Sequence, residues 1–111
     1  MSFSQELIDS VWNKATVQPG NEPDVFRKDQ CGAWIQKSKY GHRDSKYGWE
    51  VDHITAVANS GTDILSNLRP LHWGNNSSRG KGRLNTQLPA VTSEGTDNIQ
   101  LNADNSTYSK M

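Results

Sequence analysis

The sequence of 111 residues lacks several features, and each absence excludes a class of protein. Cys31 is the only cysteine, so one chain can form neither an internal disulfide nor a zinc site with two or four cysteines. Hydrophobic residues make up only 32%, which permits a small core. No apolar run reaches the roughly 18 residues of a membrane span, and no N-terminal stretch has the layout of a signal peptide. We therefore expect a soluble, cytoplasmic protein without membrane contact.

The formal net charge is zero, but the charges are unevenly distributed. Residues 26–83 carry ten basic and five acidic side chains, a net charge of +5, whereas residues 1–25 and 84–111 are acidic. A basic segment is typical of proteins that bind the phosphate backbone of nucleic acids, although a solvated basic surface gives the same count. These changes in net charge divide the chain into an N-terminal part, a basic middle and a C-terminal tail.

The two acidic ends have different local patterns. Residues 4–15 have apolar side chains at helical spacing after Ser4, which predicts an N-terminal helix capped by that serine. Residues 16–25 contain two prolines and a glycine, which predicts a connector. Residues 84–111 are rich in Asn, Thr, Ser and Gly, so we expect a polar, flexible tail that is mostly disordered from residue 90 onwards.

The basic middle shows alternating patterns separated by loops. Residues 33–40 and 49–54 alternate apolar with polar side chains, which predicts strands. A loop follows over residues 55–66. Residues 68–73 predict a short strand, since a proline limits its hydrogen bonding, and a short helix is expected over residues 74–80.

The most informative polar residues begin at the adjacent pair Asp52 and His53. At the end of a strand both side chains can reach one site. A carboxylate suits a hard cation such as Mg²⁺, and an imidazole can remove a proton from water near neutral pH. Asn67 and Asn76 follow, and an amide can either ligate a metal through its oxygen or hold a loop through backbone hydrogen bonds.

These residues lie in a spaced pattern that resembles the HNH endonuclease motif, including the HNH cleavage domain of CRISPR effector nucleases. The family pattern is an apolar residue, Asp-His-Ile, a glycine-containing loop, Asn-Leu, and a final His or Asn followed by Lys. The matching residues are Trp49–Ile54, Gly61, Asp63, Ser66–Leu71, Asn75, Asn76 and Arg79–Lys81. The resemblance covers residues 26–83. It implies an α+β fold with a ββα-metal core, in which two antiparallel strands and a long loop precede a helix.

The resemblance also implies a role for each motif residue. Asp52 resembles the first metal ligand, and His53 resembles the general base that activates water. Asn67 resembles the residue that fixes the loop and orients the histidine through the backbone, and Asn76 resembles the last metal ligand. Five side chains are expected to contact phosphate: Arg69, His72, Arg79, Lys81 and Arg83. For His72, packing is the alternative.

The chain departs from the family pattern in its metal chemistry. Many members carry two Cys-x-x-Cys pairs that hold a structural zinc, whereas here only Cys31 is left and His72 precedes the final helix. We expect no structural zinc, and apolar packing in its place. Some members add a further histidine one turn after the last motif residue, and this chain has none there. An all-oxygen ligand set favours Mg²⁺ or Mn²⁺.

The sequence therefore predicts a metal-dependent HNH endonuclease that hydrolyses DNA, with RNA left open as a substrate. The alternative is a catalytically weak or inactive HNH-like module that binds nucleic acid. A third possibility is an accessory protein whose acidic ends recruit a partner, for which the sequence offers no positive sign. No base-reading element is recognisable, so specificity is either absent or supplied by a homodimer or a partner protein.

Overall fold

In the computed structural model, which describes residues 2–111, helix α1 spans Gln5–Trp12. Ser4 caps this helix, because its side-chain oxygen accepts a hydrogen bond of 3.1 Å from the backbone N–H of Leu7. The residues that α1 buries lie on one face: Ile8, Val11 and Trp12. The predicted N-terminal helix and its cap are confirmed.

An antiparallel sheet follows α1. Its strands are β1 (Thr16–Val17), β2 (Phe26–Lys28) and β3 (Trp34–Gln36), in that spatial order. Strand β3 lies inside the predicted strand over residues 33–40. Strand β1 lies in the segment that was predicted to be a connector. It could not be predicted because a strand of two residues leaves no periodic pattern in a sequence.

The middle of the chain forms a strand, a loop, a second strand and a helix. Strand β4 (Trp49–His53) pairs antiparallel with β5 (Leu68–His72), and helix α2 (Trp73–Arg79) follows at once. This order agrees with the predicted order, and the α+β class is confirmed. Within residues 2–111, no helix has both the length and the apolar character needed to cross a membrane.

The loop between β4 and β5 is folded back on itself. It contains two short 3₁₀ turns, Val57–Asn59 and Leu65–Asn67. Gly61 allows the close approach, because a Cβ atom at this position would lie 1.6 Å from the carbonyl oxygen of Thr55. Any side chain at residue 61 would therefore force this loop open.

The predicted disorder of the C-terminal tail is wrong. An antiparallel sheet forms there from β6 (Val91–Glu94), β7 (Asp97–Leu101) and β8 (Tyr108–Lys110). Asn98 is almost fully buried, and its side chain exchanges two hydrogen bonds of 2.8 Å with the backbone of Trp34. This sheet could not be predicted from composition because it is attached through polar side chains, which resemble solvated residues in a composition count.

The apolar core lies between α1 and the β4–β5 hairpin. The indole rings of Trp12 and Trp49 are tilted against each other with centroids 5.2 Å apart, and both side chains are fully buried. The remaining members of this cluster are Ile8, Val11, Ala15, Ile35, Val51 and Leu68. Strand β4 therefore has its odd-numbered residues Trp49 and Val51 in the core, which turns Glu50 and Asp52 towards the opposite face.

Candidate functional site

The end of strand β4 presents Asp52 and His53 to opposite sides of the hairpin. Asp52 lies on the side covered by α2, where it meets Arg79. His53 lies on the side of α1, and its ring centroid is 5.9 Å from that of Phe3. The two adjacent motif residues therefore have separate sets of neighbours.

Asp52 is buried between two arginines. Its Oδ2 accepts a hydrogen bond of 2.7 Å from Nε of Arg69, the residue opposite it on β5. Nε of Arg79 lies 3.4 Å from the same oxygen and has no hydrogen-bond partner within residues 2–111. The side chain of Asp52 is 7% exposed. One carboxylate thus faces two guanidinium groups, which leaves a local excess of positive charge.

His53 forms a pair with a carboxylate from the loop. Its Nε2 is 2.6 Å from Oδ1 of Asp63, and since a carboxylate only accepts, Nε2 carries the hydrogen. Nδ1 is then the nitrogen that can accept a proton. The sequence analysis counted Asp63 as part of the motif but assigned it no role, because its distance from His53 depends on the fold of the loop.

Asn67 holds the loop closed with its side chain. Its Oδ1 accepts a hydrogen bond of 2.8 Å from the N–H of Thr55, and its Nδ2 donates to the carbonyls of Thr55 and Thr62. Its own carbonyl accepts from the N–H of Ile54 over 2.7 Å. Of the two alternatives that the sequence left open, these contacts match the loop clamp, and they fix the backbone directly after His53.

Asn76 and Glu50 meet where α2 crosses β4. Nδ2 of Asn76 donates to Oε1 of Glu50 over 2.9 Å, and Arg43 binds the same carboxylate with two hydrogen bonds of 2.7 and 2.8 Å. Burial by itself raises the pKa of Glu50, but the hydrogen bonds from Arg43 and Asn76 outweigh it and the pKa is lowered. Glu50 belongs to the motif run Trp49–Ile54 but received no role from the sequence, although its position two residues before Asp52 places it on the same face of the strand.

The structure does not join Asp52 and Asn76 directly. Residues 76 and 79 lie one turn apart on the same side of α2, and they contact Glu50 and Asp52 respectively. Both predicted ligands therefore lie in one interface between α2 and β4, where each has a different partner.

The structure buries the side chains of two residues that were predicted to contact phosphate, and for His72 this matches the packing alternative. His72 is fully buried, donates from Nε2 to the carbonyl of Lys46 over 2.8 Å, and accepts at Nδ1 from the N–H of Gly74. Burial lowers its pKa to about 4. The side chain of Arg79 is 2% exposed, and it donates to the carbonyls of Gly80, His53 and Ile54. Both side chains therefore form hydrogen bonds to the backbone inside the domain.

Of the other three predicted phosphate contacts, two lie at the surface, and Arg69 is largely buried, with its side chain 12% exposed. Lys81 and Arg83 are exposed after α2. Arg69 lines a shallow groove together with Arg83. The other residues along this groove are Gln30, Ile54, Gly82, Leu84 and Thr86. Because Arg69 lines this groove and also pairs with Asp52, the groove adjoins one of the motif residues.

A buried carboxylate that the sequence analysis missed connects three parts of the domain. Oδ1 of Asp29 accepts from the backbone of Cys31 and Ala33, and Oδ2 accepts from the N–H of His72 and from Nδ2 of Asn75. Asn75 in turn exchanges two hydrogen bonds with the backbone of Val91 in β6. Asp29 therefore anchors the start of α2 to the turn before β3.

The oxygen donors of Asp52 and Asn76 are of the type that a hard divalent cation prefers, whereas the two guanidinium groups beside Asp52 oppose a bound cation. Within residues 2–111, no three His, Cys, Asp or Glu side chains cluster as a metal site. The available donors are the carboxylate of Asp52 and the amide oxygen of Asn76, and in the described part of the chain neither Oδ1 atom accepts a hydrogen bond. Oxygen donors in this small number suit Mg²⁺, which keeps several water ligands.

The middle of the chain matches a known family. The family model described as HNH endonuclease matches residues 30–82, a range that contains all four motif residues assigned from the sequence. Among curated proteins and among solved structures, no significant match was found.

Proposed function

Because residues 30–82 belong to the HNH endonuclease family, we propose that this protein is a metal-dependent endonuclease that hydrolyses phosphodiester bonds of DNA. The observation that carries the proposal is the place of the motif residues in the order of elements. Asp52 and His53 lie on opposite sides of the end of β4, directly before the loop, and Asn76 lies on the helix that follows β5. This order of strand, loop, strand and helix is the one expected of a ββα-metal core.

We propose that His53 is the general base. With Nε2–H donating to Asp63, Nδ1 can take a proton from the attacking water. Asp63 then stabilises the imidazolium that forms, as a carboxylate does beside a catalytic histidine. Asn67 supports this pair, because its clamp on Thr55 and Thr62 sets the shape of the loop that carries Asp63.

Asp52 and Asn76 are the residues that we propose hold Mg²⁺ or Mn²⁺. A bound divalent ion supplies charge stabilisation to the phosphate and to the leaving oxygen. Lys81, Arg83 and Arg69 contribute positive charge along the groove, where they position the nucleic-acid backbone. Nδ2 of Asn76 donates to the carboxylate of Glu50, and this hydrogen bond fixes the orientation of the amide that carries the proposed ligand oxygen.

A nicking assay tests the proposal. Purified protein with Mg²⁺ should nick supercoiled plasmid, and His53→Ala should lose at least about a hundredfold of this rate, the contribution of a general base. The matched control is His42→Ala, since His42 lies exposed in a surface loop and should cut like the wild type. Single-stranded DNA and RNA are run alongside the plasmid. Equal nicking by wild type and His53→Ala would overturn the role of His53.

The second candidate function is a module that binds nucleic acid without cutting it. The observation in its favour is the pairing of Asp52 with Arg69, which occupies one oxygen of a proposed ligand. This candidate predicts a gel shift that is unaffected by EDTA, together with no cleavage in Mg²⁺ or Mn²⁺. Cleavage that depends on the metal and on His53 would exclude it.

A further inference from the structure

The ion pair between Arg69 and Asp52 lies at the boundary of the groove and the site. Nε of Arg69 is 2.7 Å from Oδ2 of Asp52, and the two side chains are 12% and 7% exposed. The same arginine lines the groove beside Arg83. Its guanidinium group is therefore within reach of two kinds of anion, the carboxylate of Asp52 and a phosphate in the groove.

The two arginines near Asp52 differ in how firmly they are held. Arg79 donates to three main-chain carbonyls, which fix its guanidinium group in place. Within residues 2–111, the hydrogen bond to Asp52 is the only one that the side chain of Arg69 makes. Arg69 is thus the arginine whose side chain can leave the carboxylate without breaking a second hydrogen bond.

Building on the proposed function, we propose that Arg69 is a substrate-operated latch on the metal ligand Asp52. In the free protein its guanidinium group neutralises Asp52 and weakens the binding of a divalent cation. When the backbone of a nucleic acid enters the groove, Arg69 binds a phosphate and releases Asp52 to the metal. Metal and substrate then strengthen each other's binding, since such coupling is reciprocal.

Titration of the full chain with Mn²⁺, without nucleic acid, tests the latch independently of cleavage. Arg69→Met removes the charge and the hydrogen bond at similar side-chain length, so the Kd for Mn²⁺ should fall by about tenfold, the size of one charge-assisted hydrogen bond. Lys39→Met is the matched control, because it also removes one positive charge, from a partly exposed side chain that does not line the groove. Its Mn²⁺ affinity should equal that of the wild type.

A second measurement uses the wild type, in case Arg69→Met does not fold. A single-stranded phosphorothioate oligonucleotide should tighten Mn²⁺ binding, after subtraction of the metal that the oligonucleotide binds alone, and Arg69→Lys should retain part of this coupling. An unchanged Mn²⁺ affinity in folded Arg69→Met, or no coupling in the wild type, overturns the latch. Failure of the proposed function is read separately, from the absence of metal-dependent nicking.

Discussion

Replacing Asp29 with asparagine should destabilise the domain more than any other single loss of a carboxylate near α2. Four donors converge on the two oxygens of Asp29, two on each. An asparagine has one acceptor oxygen, so two of these donors would face an NH₂ group. Asn75 cannot adapt by turning its amide over, because both ends are bound to the backbone of Val91.

The magnitude follows from the two hydrogen bonds that would be lost. Each buried donor left without an acceptor costs about 1–3 kcal/mol, and removing a buried charge returns part of that sum. We therefore expect the free energy of unfolding to fall by about 2–4 kcal/mol. Burial raises the pKa of Asp29 even though four donors lower it, which shows how fully this carboxyl group is withdrawn from water.

Chemical denaturation in urea measures this loss. Four tryptophans provide the fluorescence signal, and a small domain is expected to unfold in a single transition. The control is Asp44→Asn, since the side chain of Asp44 is 86% exposed and the change should stay within about 0.5 kcal/mol. A loss of less than about 0.5 kcal/mol in Asp29→Asn would refute the reasoning, since it would mean that the four contacts are dispensable.

Three further predictions concern the site. Asp63→Asn should slow nicking by about tenfold with the fold intact, because the amide no longer stabilises a charged His53; an unchanged rate would remove Asp63 from the site. Asn67→Ala should accelerate hydrogen exchange at the amide of Thr55, which loses its acceptor, and unaltered protection there would contradict the clamp. For His72, the ordinary pKa is 6.5 and the folded value is about 4. As the pH is lowered, His72 takes up a proton in the unfolded chain at a higher pH than in the folded protein. The contribution of neutral His72 to the free energy of unfolding is therefore fully present above pH 6.5 and is lost, by about 3 kcal/mol, as the pH drops to 4. The urea midpoint should fall between pH 6.5 and pH 4 in the wild type and should fall less in His72→Gln. An equal dependence of the midpoint on pH in the two proteins would contradict burial of His72 as the cause.

Asp29 also links two segments of a domain whose sequence has a single cysteine. In nucleases that this chain resembles, cysteine pairs often link two segments through a metal. Here the segments around Cys31 and His72 are linked by the carboxylate of Asp29. The apolar packing that the sequence predicted is also present, since Trp34, Ile35 and Leu71 are buried.

The elements that the sequence predicted well are those with local signals. The Ser4 cap, the alternation in β4 and the turn residues of the loop each depend on neighbours within a few positions. The family could be recognised for a similar reason, because the spacing of Asp52, His53, Asn67 and Asn76 is read directly from the sequence and does not depend on the tertiary structure. The match over residues 30–82 confirmed that recognition.

The sequence by itself thus determined the order of elements in the middle of the chain and the family that residues 30–82 match. The tertiary structure decided that Arg79 and His72 are buried, that Asp52 is paired with Arg69, and that the C-terminal residues form a sheet. These outcomes depend on contacts between residues far apart in the chain, such as Asp29 with His72. A basic side chain has the same letter whether it meets a phosphate or a buried carboxylate, and only the packing around it determines which.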